Sequence, residues 1–260
     1  MFGGARRDSL DDSLWRDSCE GLPWLLSMDA TRRERLRELS TRFLREKTIS
    51  PIGELTLDDR DRVRLAALCC LPLLEFGAEG LHGWSELIVY PEAFRVHRED
   101  VDDDEVQHEW EDELIGEAWD AGPLILSWTD VLADIASPWE GMCLPVHEMA
   151  HKLDALDGEM DGTPPLPREW QRAWARDFGR EYAAFAAAVD RDEDTAIDPY
   201  AAESPEEFFA VCSEYHFGAP HLLRETLPAV AEHLRKFYGE SPAPPGDHDA
   251  GLKVPAATPH

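Results

Sequence analysis

A chain of 260 residues with 43% apolar content can bury a proper core, and it contains no run of eighteen apolar residues that would span a bilayer. Its net charge of −29 repels phosphate backbones, which argues against nucleic acid as a direct partner. No apolar leader segment follows Met1, and the five cysteines (Cys19, Cys69, Cys70, Cys143, Cys212) form no Cys-x-x-Cys pair, so a cytoplasmic protein with buried, reduced thiols is expected.

Residues 1–22 are polar and irregular and read as a flexible N-terminal arm. Thr31-Arg32-Arg33-Glu34 has capping-box spacing and opens a helix with Leu36, Leu39 and Phe43 on one face. A second helix is expected from Thr56, with Asp58 and Asp59 in its first turn, through the apolar run 65–71 to Pro72. The N-terminal part is thus helical to about residue 80. Then the period changes to two. Residues 87–90 and 94–97 read as strands, and 114–119 and 124–126 flank a hairpin turn at Asp120-Ala121-Gly122. Between them, residues 99–113 hold ten carboxylates in fifteen positions. Without the mid-loop glycine of a calcium-binding hand, they read as a solvated loop.

From Trp128 the pattern is helical again. Ser137-Pro138-Trp139-Glu140 has capping-box spacing, but Pro145 removes a backbone donor, so the chain breaks near Gly141 or a helix begins at about Pro145. That helix carries Val146-His147-Glu148-Met149-Ala150-His151 and should end by Gly158. His147 and His151 lie one turn apart on one face and can reach a single metal ion; Glu148 leans to the same side, where it can take a proton from water. Chance placement yields this His-Glu-x-x-His pattern in about four such chains per hundred. Asp154 falls on the same face, where it can accept from a ligand ring, hold a neighbouring helix or simply sit at the surface. Later helices are signalled by Trp170, Trp174 and Phe178, by Tyr182, Phe185 and Val189, and by Leu227, Val230, Leu234 and Phe237. Residues 241–260 read as a disordered Pro-rich tail.

A catalytic zinc usually has three protein ligands, leaving a fourth position for water. Downstream candidates for the third are Glu203, Glu206, Glu207, Glu214, His216 and His221. Ser204 reads as an N-cap with Pro205 in the first helical position, which also makes Glu207 a capping-box residue. Spacing does not choose among these groups.

Beyond the motif, Tyr200-Ala201-Ala202 and Glu207-Phe208-Phe209-Ala210-Val211 resemble the Mlc titration factor A family of bacterial zinc metallopeptidases. So do Phe43-Leu44-Arg45-Glu46-Lys47, Gly83-Trp84, Ile88-Val89-Tyr90-Pro91 and Leu126-Ser127-Trp128. The likeness spans about residues 23–240. It implies an α+β, zincin-like fold, mostly helical with a small mixed sheet packed on the active-site helix, similar to the catalytic domain of anthrax lethal factor, a gluzincin. It further implies Zn2+ held by His147, His151 and Glu207, with Glu148 and Tyr200 as catalytic residues. The expected activity is hydrolysis of peptides or short polypeptides by zinc-activated water. The alternative is a binding protein that sequesters a transcriptional repressor. Pro145, the acidic loop 99–113 and the tail depart from the family pattern.

Overall fold

The computed structural model describes residues 10–19, 21–92 and 122–242. Helix α1 (Asp12–Cys19) packs on the later helix Asp59–Cys70, and Leu10, Cys19 and Leu22 are buried. The chain therefore joins the core from Leu10, where a loose arm was expected to reach about residue 22. The short α2 (Pro23–Leu26) buries Trp24. Helix α3 (Ala30–Glu46) starts just before the expected Thr31, because the Asp29 side chain accepts from the Arg32 amide; Leu36, Leu39 and Phe43 are buried as their spacing requires. Helix α4 (Asp59–Cys70) starts three residues after Thr56, where Asp58 and Asp61 close a reciprocal capping box. Pro72 then separates it from α5 (Leu73–Phe76).

Three short strands, β1 (Thr48–Pro51), β2 (Glu86–Tyr90) and β3 (Leu124–Ser127), pair in the order β1-β2-β3. Both pairings are parallel, with Ile49 opposite Leu87 and Leu87 opposite Leu124. Among the described residues the sheet is therefore parallel, where a mixed one was expected. Parallel neighbours need a crossover, supplied between β1 and β2 by α4, α5 and the 3-10 turn Ala78–Leu81. The expected strands 94–97 and 114–119, the acidic loop 99–113 and most of the turn at 120–122 lie outside the described residues. So does the tail beyond residue 242. The buried Lys47 ammonium secures the α3–β1 corner by donating to the Leu81 and Trp84 carbonyls while lying 3.8 Å from the Trp84 ring centroid.

The C-terminal half is helical: α6 (Trp128–Ala136), α7 (Leu144–Asp154), α8 (Arg168–Val189), α9 (Pro205–Gly218), α10 (Pro220–Thr226) and α11 (Pro228–Tyr238). The two apolar sets at 170–178 and 182–189 share one continuous helix, α8. Helix α7 is the hub, packed on β3, α4, α6 and α9. Behind α9 an aromatic cluster fills the core: Trp174 stacks on Phe178 at 4.1 Å, and Phe208 and Phe209 meet them edge-on. All five cysteines are free and buried, as expected for structural thiols. No helix among the described residues is long and apolar enough to cross a membrane.

His216, on α9, is buried and shares a hydrogen bond with the Ser241 hydroxyl at 3.1 Å. Burial, aided by Arg32 and Arg224, pushes its imidazole pKa down to about 3. An unfolded histidine titrates near ~6.5, so between these values the unfolded chain binds the extra proton. The stabilisation is therefore fully present above about pH 6.5 and is lost as pH falls toward 3. Denaturant titrations at pH 7 and 4.5 should show that His216→Gln loses less stability on acidification than the unsubstituted protein; equal losses would refute this origin.

Candidate metal centre

Helix α7 begins without a capping side chain of its own. Cys143 occupies the N-cap and Pro145 lies in the first turn, where its missing N–H costs nothing. The free amides are taken by acids from elsewhere in the fold. Cys143 N–H donates to Glu214 Oε2 at 2.7 Å, and Leu144 N–H donates to Asp134 Oδ2 at 2.7 Å. Both carboxylates lie at the positive end of the helix dipole. The Ser137 to Glu140 capping box plays no part: Ser137 instead closes α6, and Gly141, at φ 91° against the Tyr215 ring, turns the chain into α7. At the other end a 3-10 turn follows, and Gly158 ends it in the left-handed region.

On α7 the 3.6-residue period brings His147 and His151 together, with their Nε2 atoms 3.1 Å apart. From α9, Glu207 places Oε2 at 3.2 Å from His147 Nε2 and 3.5 Å from His151 Nε2. Ser204 does cap α9, accepting from the Glu207 amide at 3.3 Å. The Glu207 carboxylate, however, is turned toward the histidines. Phe208 and Phe209, buried against Phe178, Tyr182 and Trp174, fix the rotation of α9 that aims it there.

Ligand atoms of His147, His151 and Glu207 all lie within 4.8 Å of one another. The set fits a metal ion. Bonds of ~2.0–2.1 Å to a tetrahedral ion put neighbouring donor atoms about 3.3 Å apart, close to the separations seen here. The buried Oε2 of Glu207 also has no hydrogen-bond partner of its own despite those short distances, as expected of three lone pairs converging on a shared cation.

Charge in this pocket is strongly coupled. Burial raises the Glu207 carboxyl, but the two imidazoles override it and hold the group well below the usual carboxylate range. Burial opposes protonation of His147, yet Glu214 and Glu207 pull its pKa well above the ordinary histidine value. Glu148, half-buried beside His147 on α7, is pushed up by burial, with the two histidines opposing. Tyr200 sits just before α9, its ring centroid 6.1 Å from that of His147. It keeps 46% exposure, so it is no core tyrosine. Its hydroxyl is held protonated by partial burial and by the charges of Glu207 and Glu203.

The remaining candidates go elsewhere. Glu214 contacts His147 from behind, through Nδ1 at 2.8 Å. His216 faces Ser241, and Glu203 and His221 are exposed. Asp154 is fully buried and accepts from the Gly162 amide at 2.8 Å, so it holds a loop. That loop matters to the site. Gly162 lies so close to α9 that a Cβ would meet the Pro205 carbonyl at 2.4 Å, and its φ of +79° excludes side chains independently. Asp154 thus braces the histidine helix against the start of the glutamate helix. The backing role of Glu214 was legible only as its seven-residue offset from Glu207, two turns along one face.

The model of the glucose-regulated metallo-peptidase M90 family matches residues 4–239. Three similar proteins, each named Mlc titration factor A, come from Escherichia fergusonii, Serratia proteamaculans and Enterobacter sp. The first is 36% identical, covering 89% of this chain and 88% of the relative. The second is also 36% identical, covering 88% and 87%. The third is 37% identical, covering 87% and 86%. A match over nearly the whole chain, joined to a His-His-Glu cluster suited to a metal ion, establishes that this chain belongs to the M90 metallopeptidase family.

Proposed function

We propose that this protein is a cytoplasmic zinc-dependent peptidase that hydrolyses peptides or short polypeptides. The observation that carries this reading is the convergence of His147 Nε2, His151 Nε2 and Glu207 Oε2, with Glu148 on the same helix beside them. Two imidazoles and one carboxylate are the donor set that suits catalytic zinc and leaves room for water. When bound, zinc supplies a Lewis acid that lowers the pKa of water and polarises a substrate carbonyl. Glu148 then serves as general base and acid, taking a proton from the attacking water and handing it to the departing amine. Tyr200, exposed at the mouth and kept protonated, donates a hydrogen bond to the carbonyl oxygen as negative charge builds there. Strand β3 pairs only with β2 among the described residues. We assign that edge to an extended substrate backbone, bound by strand addition.

A second reading is favoured by the name that the relatives carry. A protein that titrates Mlc binds it, and the present chain would act likewise by sequestering a transcriptional repressor, with weak or vestigial peptidase activity. The two readings separate on turnover of short chromogenic peptides with and without a chelator.

Purified protein should carry about one zinc per chain, measured by metal analysis, and His147→Ala or His151→Ala should lose it, because two ligands hold a catalytic zinc poorly. Glu148→Gln should keep the zinc while turnover of short chromogenic peptides falls by at least about a hundredfold, the scale of a general base. A Glu148→Gln variant that cleaves as well as the parent would show that Glu148 is merely a helix residue.

The third ligand has its own control. Glu207→Gln should be zinc-poor and inactive, whereas Glu206→Gln, at the same helix start, should keep both metal and activity. If Glu207 were only a capping residue, its loss would cost about 1 kcal/mol of stability and leave metal content unchanged. Unchanged zinc content in Glu207→Gln would remove it from the ligand set.

A further inference from the structure

Glu214 is 5% exposed, and both of its oxygens are engaged. Oε1 lies 2.8 Å from His147 Nδ1, and Oε2 accepts from Cys143 N–H at 2.7 Å. Among the described residues, no lysine or arginine pairs with it; its ion-pair partner is His147. A buried carboxylate is costly unless positive charge balances it. Here that charge comes from the amino end of α7 and from whatever lies beyond the His147 ring. An ionised carboxylate can only accept hydrogen bonds, so the proton of this contact belongs to Nδ1. In the neutral ring that a metal ion needs, the remaining lone pair is then on Nε2, the atom that faces His151 and Glu207.

We propose that Glu214 is the positioning residue of the metal centre: it locks His147 in the Nδ1–H form, aims Nε2 at the ion, and at the same time anchors the first turn of the ligand-bearing helix. The inference rests on the metal reading given above. It also places Glu214 outside the ligand set, since turning toward the ion would break both of its hydrogen bonds. One acidic side chain on α9 therefore couples ring orientation to helix position, so that His147 cannot rotate without the start of α7 being released. Glutamine at this position has one acceptor for two donors. If its oxygen serves Cys143 N–H, its NH2 faces Nδ1 and favours the opposite tautomer, with a proton on Nε2 where the metal must bind.

The test compares Zn2+ affinity, by competition with a chromophoric chelator, in the parent protein, Glu214→Gln and Glu214→Asp. Glu214→Gln should bind Zn2+ about 10- to 100-fold more weakly, the usual effect of losing such a partner. Glu214→Asp, which keeps two charged acceptors, should recover part of that loss. In the Zn2+-loaded parent protein, 15N-histidine NMR should show His147 protonated at Nδ1, with a downfield, exchange-protected proton that is shifted or lost in Glu214→Gln. Equal Zn2+ affinity in the parent and Glu214→Gln would overturn the proposal. So would a parent spectrum with the His147 proton on Nε2, a result that stands even if the glutamine variant does not fold. A parent protein that takes up no Zn2+ would instead overturn the metal reading, and the role of Glu214 with it.

Discussion

Three lone-pair-bearing atoms pressed to within about one ligand–ligand edge of one another are the constraint around which the C-terminal half of this protein is built. Two of them come from one helix, so their proximity follows from helical geometry alone. The third comes from α9, and it arrives only because α7 and α9 pack side by side. In water such a cluster would be screened. Here His147 is buried and His151 and Glu207 are only partly exposed, so the charges act at short range in a weakly screening medium. A bound cation would reverse the balance, because a divalent ion would hold the imidazoles neutral and satisfy the carboxylate at once.

Keeping the two helices in register falls to contacts that contain no ligand atom. At the start of α7, Glu214 and Asp134 take the first free amides. At its end, Asp154 holds Gly162 against the backbone at the start of α9. On its flank, the buried Lys152 ammonium donates to the Gly122 carbonyl at 2.9 Å, tying the helix to the chain that enters β3. The motif helix is therefore braced at three points by charged side chains that are each largely or fully buried. Such groups are stabilising only while fully partnered, so the bracing specifies one arrangement of the helices more than it adds net stability.

The aromatic core complements this polar frame. Phe208 and Phe209 follow Glu207 directly and are buried against α8, so the apolar side of α9 decides where its acidic side points. Membership of the M90 metallopeptidase family accords with that arrangement of helices, and the small parallel sheet sets β3 beside α7.

Read by itself, the sequence identified α3, α4, β2, β3 and the motif helix, and placed His147, Glu148 and His151 on one helical face, because helix and strand periods are local properties of the chain. Its proline and glycine signals located the start of α7 and the turn that follows it. It did not reveal β1, four residues ending in proline, or α1, whose few apolar residues become meaningful only once α4 offers a surface. Nor did residue spacing separate Glu207 from Glu203, Glu206 or Glu214, and resemblance alone singled it out. That choice belongs to the tertiary structure. Glu207 and Glu214 share one face of α9, two turns apart, and the way α9 lies across α7 puts one carboxylate at Nε2 of His147 and the other at Nδ1. No local rule encodes which side of an imidazole a distant helix will meet; the packing of Phe208 and Phe209 behind α9 decides it.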